Sequence, residues 1–568
     1  MEDLYEYIIT LHKLEDSDEF YHNLETLGGT ITIPERAVVV HRRRPISRNT
    51  HYMLTHEEAK LINTDPRVAG VTLADLILNS ITPNWTTSTE IYDKTEQNIG
   101  THYNWGIKRC TNGVQLTSWG TDNVVAITGT SSHSLSGKNV DVIVVDGHVN
   151  PAHPTFSINA NGTGSSRVNQ FNWYTLNSVA ASLDDDAETV LSGNYTYTPY
   201  SAGSGSAAAA DNNHGCHVAG VVAGNENGWA RDATIYNISP YSTNPNSLNS
   251  LIMWDYIRAF HASKPVNAAT GIKNPTICNC SYASVFTFPN TSGYTSGSIT
   301  YTNYRGVAQG NYSTPLTSNQ LTAAGIYNTT VSNVVTATVP YFNVASEADI
   351  QQAIDDGIII VAGAGNDSFF MDTKTGLDYN NTFAATWSGV NYSWNQHMGT
   401  APACASTVIA VGAIGELSIE KKAVYSNTGP RVSIFAPGSN IMSSFNNTDS
   451  YGSAADQRNG SYVNGKISGT SMACPQVCGV LACALEMYPT MTQSAALKYI
   501  QHHAKLTQLT DTDGGTLDRY SLQGASNLYL YAYPERPLLN VAYPKVNFKI
   551  RPTSGYVFPR AKIRVYKT

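Results

Sequence analysis

Short, continuous apolar runs rich in β-branched residues recur through the middle of the chain, from about residue 101 to residue 506. Runs that are apolar at successive positions are typical of strands buried on both faces of a parallel sheet. The predicted strands are "VDVIVVDG", "ATIYNIS", "PTICNCS", "IIIVAGAG" and "TVIAVGAI". Segments with helical spacing lie between them, as in "SEADIQQAIDDG". This alternation predicts an α/β domain with a three-layer, doubly wound, mainly parallel sheet.

The first 78 residues show a different order of elements. The runs "LYEYIITLHK" and "TITIPERAVVV" predict strands, and Phe20 and Leu24 repeat between them at helical spacing. A second helix is predicted after Thr55, where Glu58 completes a capping box, and "DPRVAGVTLA" predicts a final strand. This repeated β-α-β order predicts a small ferredoxin-like α+β domain over residues 1–78.

Polar stretches divide the remainder of the chain. The Thr-rich segment 79–100 has no clear period and is predicted to be a linker. Three Ser/Thr/Asn-rich stretches interrupt the α/β region and are predicted to be surface insertions with some β structure of their own, at about 157–210, 287–343 and 368–400. The remaining segment, 507–568, is interpreted as a strand-rich tail, basic from residue 541 onward.

Composition excludes several classes of partner. The net charge is −8 and no basic excess extends over a domain, so nucleic-acid binding is not expected. No apolar run approaches the roughly 20 residues that span a membrane. The start "MEDLYEYIIT" lacks the pattern of a secretory signal, which favours a cytoplasmic or assembly-associated location, such as a virus particle. The eight cysteines show no zinc-type repeat and are interpreted as small buried hydrophobic residues.

Three residues of reactive type stand at the ends of predicted strands or helices. Asp146 ends the run "VIVV", His214 opens "HGCHVAGVVAG", and Ser471 opens "SMACPQVCGVLACALEMYP". Open α/β sheets bind their ligands at the carboxyl ends of the strands. A serine at a helix N-terminus is also close to free N–H groups, which stabilise developing negative charge.

These residue types fit nucleophilic catalysis. A serine hydroxyl becomes a good nucleophile when a histidine takes its proton, and a carboxylate fixes the histidine tautomer. Asn366, in "AGAGND" after a buried strand, is the natural oxyanion donor beside the Ser471 N–H. Each signal alone is modest, but the chain order Asp, His, Asn, Ser makes the combination specific.

The region 101–506 resembles the subtilisin-like serine proteases, or subtilases. The resemblance is carried by "VDVIVVDGHVNPAHPTF", "HGCHVAGVVAG", "NPTICNCSYAS", "IIIVAGAGND", "STVIAVGAI", "YSNTGPRVSIFAPG" and "GTSMACPQVCGV", in the family's order. It implies a serine endopeptidase that hydrolyses polypeptides through an acyl-enzyme, with a triad of Asp146, His214 and Ser471. It also implies that Asn366 lies in the oxyanion hole.

The resemblance extends to substrate binding and to the N-terminal region. It implies that a strand containing Ser281, Tyr282 and Ala283 pairs with an extended substrate, and that Gly363 and Gly365 line the primary side-chain pocket. The first 78 residues resemble the family's propeptide, which acts as an intramolecular inhibitor. Cleavage in the segment 79–104 would then precede full activity.

Several residues depart from the family pattern near the expected site. Gly147 and His148 follow Asp146, where a hydroxyl residue and then glycine are usual, so a hydrogen bond that orients the carboxylate is expected to be missing. Cys216 replaces a threonine, and Cys474 and Gln476 replace a serine and a histidine. Neither cysteine is expected to be the nucleophile.

The expected requirement for cofactors is none. Thr155 stands where a calcium-binding aspartate would be expected, and the loop after "VVAG" is short. Structural calcium is possible in this family, but its usual tight site is predicted to be absent, and no other metal site is predicted.

The sequence leaves more than one function open. The first is an active endopeptidase that is made as a precursor and processes itself. The second is an inactive or weakly active structural or binding protein on a subtilase scaffold. A third combines them, as a protease carried by a larger assembly such as a virion, with the basic tail as its tether. Retention of the triad and Asn366 favours the enzyme.

Overall fold

The computed structural model describes most of the N-terminal and central regions of the chain. The described residues are 4–26, 38–42, 48–73, 92–94, 104–112, 131–133, 135–182, 199–200, 213–238, 252–289, 294–300, 303–305, 307–308, 312–313, 317–331, 334–341, 344–387, 390–415, 420–446, 453–456, 458–512 and 518–532. One compact unit extends to Pro534. The basic part of the predicted tail, from residue 541, lies outside the described residues.

The N-terminal region has the predicted ferredoxin-like order. Its elements are β1 (Tyr5–Leu11), α1 (Ser17–Glu25), β2 (Val39–Arg42), β3 (Asn49–Leu54), α2 (His56–Ile62) and β4 (Val68–Leu73). The sheet order is β2-β3-β1-β4 with antiparallel pairs, as the split β-α-β pattern requires. Thr55 and Glu58 form the expected capping box. Phe20 and Leu24 of α1 are buried in a core separate from that of the central region.

The predicted linker contains a short strand. β5 (Tyr92–Lys94) pairs in antiparallel fashion with β6 (Ser131–His133), and the helix α3 (Trp105–Asn112) lies between them in the chain. The rest of the segment 79–100 lies outside the described residues. The predicted linker therefore contains at least one short strand, at residues 92–94.

The central region contains the remaining elements. Its strands are β7 (Asp141–Val145), β8 (Val168–Asn169), β9 (Thr234–Ile238), β10 (Thr276–Cys280), β11 (Val285–Pro289), β12 (Tyr294–Thr300), β13 (Asn303–Tyr304), β14 (Val307–Ala308), β15 (Tyr312–Ser313), β16 (Tyr327–Val331), β17 (Val334–Pro340), β18 (Ile359–Gly363), β19 (Thr382–Trp387), β20 (Val390–Asn395), β21 (Ile409–Ile414), β22 (Ile434–Pro437), β23 (Ile441–Phe445), β24 (Ser453–Ala455), β25 (Val463–Ile467), β26 (Lys505–Leu506) and β27 (Leu528–Tyr529). Its further helices are α4 (Asn177–Ser182), α5 (His214–Ala223), α6 (Ile252–Ser263), α7 (Ser318–Ala323), α8 (Val344–Asp355), α9 (Thr470–Met487) and α10 (Gln493–His503).

All five strands predicted from continuous apolar runs belong to one nine-stranded sheet. Its order is β26-β27-β22-β21-β18-β10-β7-β9-β8, and every pair is parallel except β26 with β27. Every residue of β7, β10, β18 and β21 is buried, so both faces of the sheet are covered. One group of helices contains α5 and α9, and a second contains α4, α6 and α8. This is the predicted three-layer α/β architecture.

The helix α9 is the core helix of this unit. It packs against α5 and against the strands β10, β18 and β21. By length and composition α9 alone among the described helices could cross a membrane, but 83% of its apolar window is buried inside the protein. A Cβ on Gly479 would lie 2.7 Å from the Cβ of Trp229, so glycine at this position permits close packing beneath the helix.

Two predicted boundaries are wrong because short strands join the central sheet. Val168, within the first predicted insertion, belongs to β8 and pairs with Ile235. Tyr529, within the predicted tail, belongs to β27, is buried, and pairs with Phe435. The central domain therefore continues beyond residue 506. These strands were missed because two residues are too few to show a period.

The second and third predicted insertions carry β structure, as expected, and they pair with each other. β12, from the insertion at 287–343, lies antiparallel to β19, from the insertion at 368–400. A separate hydrophobic core lies in this region and contains Tyr304, Leu321, Ala324, Ile326, Ala337, Val339, Phe370 and Phe383. The two stretches therefore form one β substructure beside the α/β core.

Candidate active site

Asp146 and His214 form a hydrogen-bonded pair at the carboxyl end of β7. Asp146 is the first residue after β7, and its side chain is 4% exposed. His214 is the first residue of α5, and its Nδ1 lies 2.8 Å from Oδ1 and 2.9 Å from Oδ2 of Asp146. An ionised carboxylate only accepts hydrogen bonds, so Nδ1 carries the proton and Nε2 of the neutral ring is left as the basic nitrogen.

Main-chain and amide groups hold the carboxylate segment in place. The Gly147 N–H donates to Asp146 Oδ1 at 2.7 Å. The carboxylate therefore has an orienting donor although a hydroxyl side chain is missing next to it. Asn237 Nδ2 donates to the Gly147 carbonyl at 2.9 Å. A Cβ on Gly215 would lie 2.1 Å from the same carbonyl oxygen, so α5 begins in close contact with this segment.

Ser471 lies at the first turn of α9 and is joined to the end of β10. Its Oγ donates to the Ser281 carbonyl at 3.0 Å, and the Ser281 hydroxyl donates to the Ser471 carbonyl at 2.8 Å. β10 ends at Cys280, so Ser281, Tyr282 and Ala283 follow the strand. The prediction that these three residues lie within a strand is therefore wrong, although they continue directly from one.

Asn366 lies three residues after β18 and is fixed by the residue that precedes Ser471. Its Oδ1 accepts hydrogen bonds from the Thr470 N–H at 2.8 Å and from the Thr470 hydroxyl at 3.0 Å. The Asn366 amide nitrogen is therefore a donor on the opposite side of the side chain. A Cβ on Gly469 would lie 3.4 Å from that nitrogen and 3.5 Å from the Ser471 nitrogen. Both nitrogens therefore lie beside Gly469, and their part in an oxyanion hole stays a prediction.

Gly363 and Gly365 are closely surrounded by other parts of the protein. A Cβ on Gly363 would lie 3.1 Å from the Thr470 carbonyl oxygen. Gly365 has φ +108°, and a Cβ there would lie 2.3 Å from Asn427 Nδ2. The protein itself fills the space beside both α-carbons. Close packing therefore explains these glycines, and their part in a substrate pocket stays a prediction.

The sequence reasoning missed three positioning residues, Asn279, Thr470 and Asn237. Asn279 is fully buried in β10, and its Nδ2 donates to the Ser281 hydroxyl at 2.8 Å. The sequence offered one signal for this residue, because Asn279 is an amide inside the otherwise mainly apolar run "TICNC". Thr470 holds Asn366, and Asn237 holds the segment after Asp146. Their contacts join segments that are distant in the chain.

The cysteines and the second histidine near the site have structural surroundings, as predicted. Cys216 and Cys474 are fully buried, and burial raises the pKa of the Cys216 thiol to about 11 and that of the Cys474 thiol still further. A thiol held in its neutral form is a poor nucleophile. His217 is also buried, its Nε2 lies 2.8 Å from the Ile441 carbonyl oxygen, and burial lowers its pKa to about 3. All eight cysteines are free thiols.

The described residues offer no conventional cluster of metal ligands. Within those ranges, no group of three or more His, Cys, Asp or Glu side chains is placed to hold a metal ion. The contacts described above join His214 to the Asp146 carboxylate and Ser471 to the carbonyl and hydroxyl of Ser281.

The chain is similar to known proteases over most of its length. The family model described as "Subtilase family" matches residues 137–525. An extracellular protease of Xanthomonas campestris is 24% identical over 441 residues, which cover 76% of this chain and 54% of that protein. A cuticle-degrading protease of Metarhizium anisopliae is 34% identical over 128 residues, 22% of this chain and 28% of that protein. The chain thus spans about half or less of the length of these curated relatives.

A solved structure of a cold-adapted subtilisin-like serine proteinase also matches. The match covers 76% of this chain and 99% of that chain, with 18% sequence identity and a TM-score of 0.42. A structure of a protease from Pseudoalteromonas arctica covers 70% of this chain and 90% of that chain, also with 18% identity and with a TM-score of 0.39.

Proposed function

The chain belongs to the subtilase family, and we propose that it is a serine endopeptidase that hydrolyses peptide bonds through an acyl-enzyme. The observation that carries this proposal is the hydrogen bond from His214 Nδ1 to the Asp146 carboxylate, 2.8 Å long. Asp146 and Ser281 follow the adjacent parallel strands β7 and β10, and Ser281 contacts Ser471. The reactive groups therefore share one edge of the sheet, where such folds bind ligands.

The proposed reaction has two halves, formation of the acyl-enzyme and its hydrolysis, and each of these groups acts once in each half. The Ser471 Oγ attacks the peptide carbonyl carbon while His214 Nε2 takes the hydroxyl proton. The oxyanion accepts hydrogen bonds from the Asn366 amide and the Ser471 N–H. His214 then gives its proton to the leaving amine, and the acyl-enzyme is hydrolysed by water in the same order of steps. Asp146 keeps the tautomer and stabilises the imidazolium.

The substrate would be an extended polypeptide that lies beside the segment after β10. The segment of Ser281, Tyr282 and Ala283 continues directly from the parallel strand β10. Its main-chain groups would form hydrogen bonds with an extended peptide that lies beside it, as an added strand does. In the free enzyme the Ser281 carbonyl accepts a hydrogen bond from the Ser471 hydroxyl. Attack requires that proton to be transferred to His214 instead.

We further propose that the N-terminal domain is an intramolecular inhibitor that is removed by cleavage. Support comes from its separate hydrophobic core, which allows it to fold as a unit. The cut would precede Asn104, because Asn104 is buried in the central domain. Its N–H donates to Asn227 Oδ1 at 3.0 Å, and its Nδ2 donates to the Asn227 carbonyl at 3.0 Å.

The alternative, an inactive structural protein on the same scaffold, is not favoured. The hydrogen bond between His214 and Asp146 is the one that the proposed chemistry requires. The relatives carry the names of proteases, which supports the enzymatic reading. An assembly that holds the protein through its basic tail stays a hypothesis.

The test compares the full chain with Ser471→Ala and with Ser468→Ala. Ser468 is exposed, and its hydroxyl only accepts a hydrogen bond from the Asn440 N–H, so it serves as a matched control. Intact mass is followed over time, together with labelling by a fluorophosphonate. We expect the wild type and Ser468→Ala to lose their N-terminal segment and to be labelled, and Ser471→Ala to stay whole and unlabelled. Equal labelling of Ser471→Ala would overturn the proposal.

A further inference from the structure

Asn366 lies in an irregular loop beyond the end of a strand. β18 ends at Gly363, and residues 364–369 belong to neither a helix nor a strand. Two residues of this loop, Gly365 and Ser368, have positive φ angles, +108° and +56°. Outside regular elements no ladder of main-chain hydrogen bonds orients the peptide groups, so other partners must do so. The direction of the Asn366 side chain therefore depends on what holds this loop.

Asn427 makes four hydrogen bonds with this loop, and it is fully buried. Its Oδ1 accepts from the Phe369 N–H at 2.8 Å and from the Asp367 N–H at 3.1 Å. Its Nδ2 donates to the Ala364 carbonyl at 2.7 Å. Its main-chain N–H donates to the Gly365 carbonyl at 2.9 Å. One residue thus contacts the loop at both ends and in the middle.

Both peptide groups that meet at Asn366 are bonded to Asn427. The Gly365 carbonyl belongs to the peptide group before Asn366, and the Asp367 N–H belongs to the peptide group after it. Each peptide group is planar, so a hydrogen bond to one of its atoms restricts the rotation of the whole group. The backbone of Asn366 is therefore held from both sides. Its side-chain Oδ1 is held separately, by the N–H and the hydroxyl of Thr470.

The contacts of the Asn427 side chain require an amide. The N–H groups of Asp367 and Phe369 need an acceptor, and the Ala364 carbonyl needs a donor. An amide supplies both, whereas an ionised carboxylate only accepts and an aliphatic side chain does neither. The approach is also close, because a Cβ on Gly365 would lie 2.3 Å from Asn427 Nδ2. The glycine and the amide therefore fit each other.

We propose that Asn427 is a positioning residue of the active site, which holds the two peptide groups beside Asn366 and so directs the Asn366 amide nitrogen toward the oxyanion. This inference rests on the proposed function, because it requires Asn366 to be an oxyanion donor. Asn427 acts through Asn366, since its hydrogen bonds reach the main chain of the loop. The segment "YSNTGP" thereby contributes to the site through one buried amide.

The test is a double-mutant cycle on peptide hydrolysis by the full chain, with Asn427→Ala, Asn366→Ala and the double variant. Since a small displacement of a catalytic group is costly, we expect Asn427→Ala to lower kcat by about 10- to 100-fold. KM should change by less than about threefold, because the oxyanion forms only during the reaction. In the Asn366→Ala background the donor is already absent, so Asn427→Ala should lower kcat further by less than about threefold. Equal losses in both backgrounds would overturn the proposal.

The matched control is Gln493→Ala, which removes another buried amide that is bonded to main-chain groups. Gln493 Oε1 accepts from the Ile360 N–H at 2.8 Å, and its Nε2 donates to the Ile360 and Thr407 carbonyls, both at 2.9 Å. We expect Gln493→Ala to lower the unfolding midpoint as Asn427→Ala does, but to keep kcat within about twofold of the parent. An equal loss of kcat in both variants would assign the effect to general stability and contradict the proposal. If Asn427→Ala does not fold, the cycle uses Asn427→Ser, whose smaller side chain keeps a hydroxyl.

Amide hydrogen exchange separates this inference from the proposed function, because it needs no turnover. It is measured by mass spectrometry on peptides that cover residues 364–369, in the Ser471→Ala background, which prevents self-digestion. We expect Asn427→Ala to speed exchange in this loop by at least about tenfold, since two of its N–H groups lose their acceptor, and Gln493→Ala to leave it unchanged. Unchanged exchange in Asn427→Ala would overturn the inference. Faster exchange together with a parent that hydrolyses no peptide would support the hold on the loop and contradict the proposed function.

Discussion

Ser471 and Ser281 form two reciprocal hydrogen bonds, each hydroxyl donating to the main-chain carbonyl of the other residue, at 3.0 and 2.8 Å. This pair joins the first turn of α9 to the end of β10. The Ser281 hydroxyl is itself held by Asn279 Nδ2 at 2.8 Å. A buried amide in the sheet is therefore connected to the proposed nucleophile through one side chain.

Asn279→Ala is expected to slow acylation. The loss of a buried donor leaves the Ser281 hydroxyl without its anchor, and a hydrogen bond of about 1 to 1.5 kcal/mol corresponds to roughly a tenfold change in rate. The measurement is kcat together with the rate of fluorophosphonate labelling, with KM expected to change little. Cys474→Ala is the control, since it removes the thiol that lies 3.2 Å from Asn279 Oδ1. Equal rates for both variants would assign Asn279 a purely structural role.

Asn366→Ala is expected to lower kcat by about 10²- to 10³-fold with little effect on KM, because it removes a donor that acts on the oxyanion. Asn366 also accepts two hydrogen bonds from Thr470, so a fall of the unfolding midpoint by roughly a few degrees is expected as well. Steady-state kinetics and thermal unfolding on the same preparations check both parts. A loss of less than tenfold in kcat would show that Asn366 does not contact the developing charge.

Buried histidines predict a loss of stability in acid. Burial lowers the pKa of His217 and His397 to about 3 and that of His153 to about 4, from an ordinary value of 6.5. Between about pH 6.5 and these values the unfolded chain binds more protons than the folded one, so the free energy of unfolding falls as the pH is lowered. In His217→Gln the free energy of unfolding, measured by urea titration from pH 7 to 4.5, should depend less steeply on pH. His12→Gln, at an exposed position, is the matched control.

The ion pair of Arg109 and Glu420 is expected to be important for stability. The pair is 1% and 4% exposed, and the Arg109 guanidinium lies 4.1 Å from the centre of the Tyr529 ring. Removal of one partner leaves a buried charge unpaired, so Glu420→Gln should destabilise by about 3 kcal/mol or more in urea unfolding. The double variant Arg109→Met/Glu420→Gln should lose less than the sum of the two single losses. Additive losses would show that the two side chains do not interact.

The boundary of the central domain can be tested by truncation. A chain that ends after residue 534 keeps β27 and should fold with an unchanged unfolding midpoint. A chain that ends after residue 506 loses Tyr529, which is buried and pairs with β22. We expect this shorter chain to be insoluble or to melt at least several degrees earlier. If both chains melt alike, β27 is not needed for the sheet.

The sequence was sufficient to predict an element of structure wherever the pattern that indicates it lies in one short stretch of the chain. The spacing of apolar residues and the caps predicted five strands of the central sheet, the helices expected to open at His214 and Ser471, and the ferredoxin-like domain. The candidate triad and Asn366 follow from short motifs, because residues at the ends of adjacent parallel strands must lie at one edge of a sheet. The contact of His214 with Asp146 and the place of Ser471 in the first turn of α9 agree with that expectation, and the catalytic roles stay predictions.

Only the tertiary structure decided which distant segments meet. The strands at Val168 and Tyr529 have two residues each, and their place in the sheet depends on the partners beside them. The hydrogen bonds of Asn279 and Thr470, and the hydrogen bond from the buried Arg167 to the Ala223 carbonyl, join groups that no sequence period relates. The physical reason is that hydrogen bonds between distant segments, and the burial of a charge among carbonyl groups, depend on the folded arrangement of the whole unit, whereas periodicity reports only neighbours along the chain.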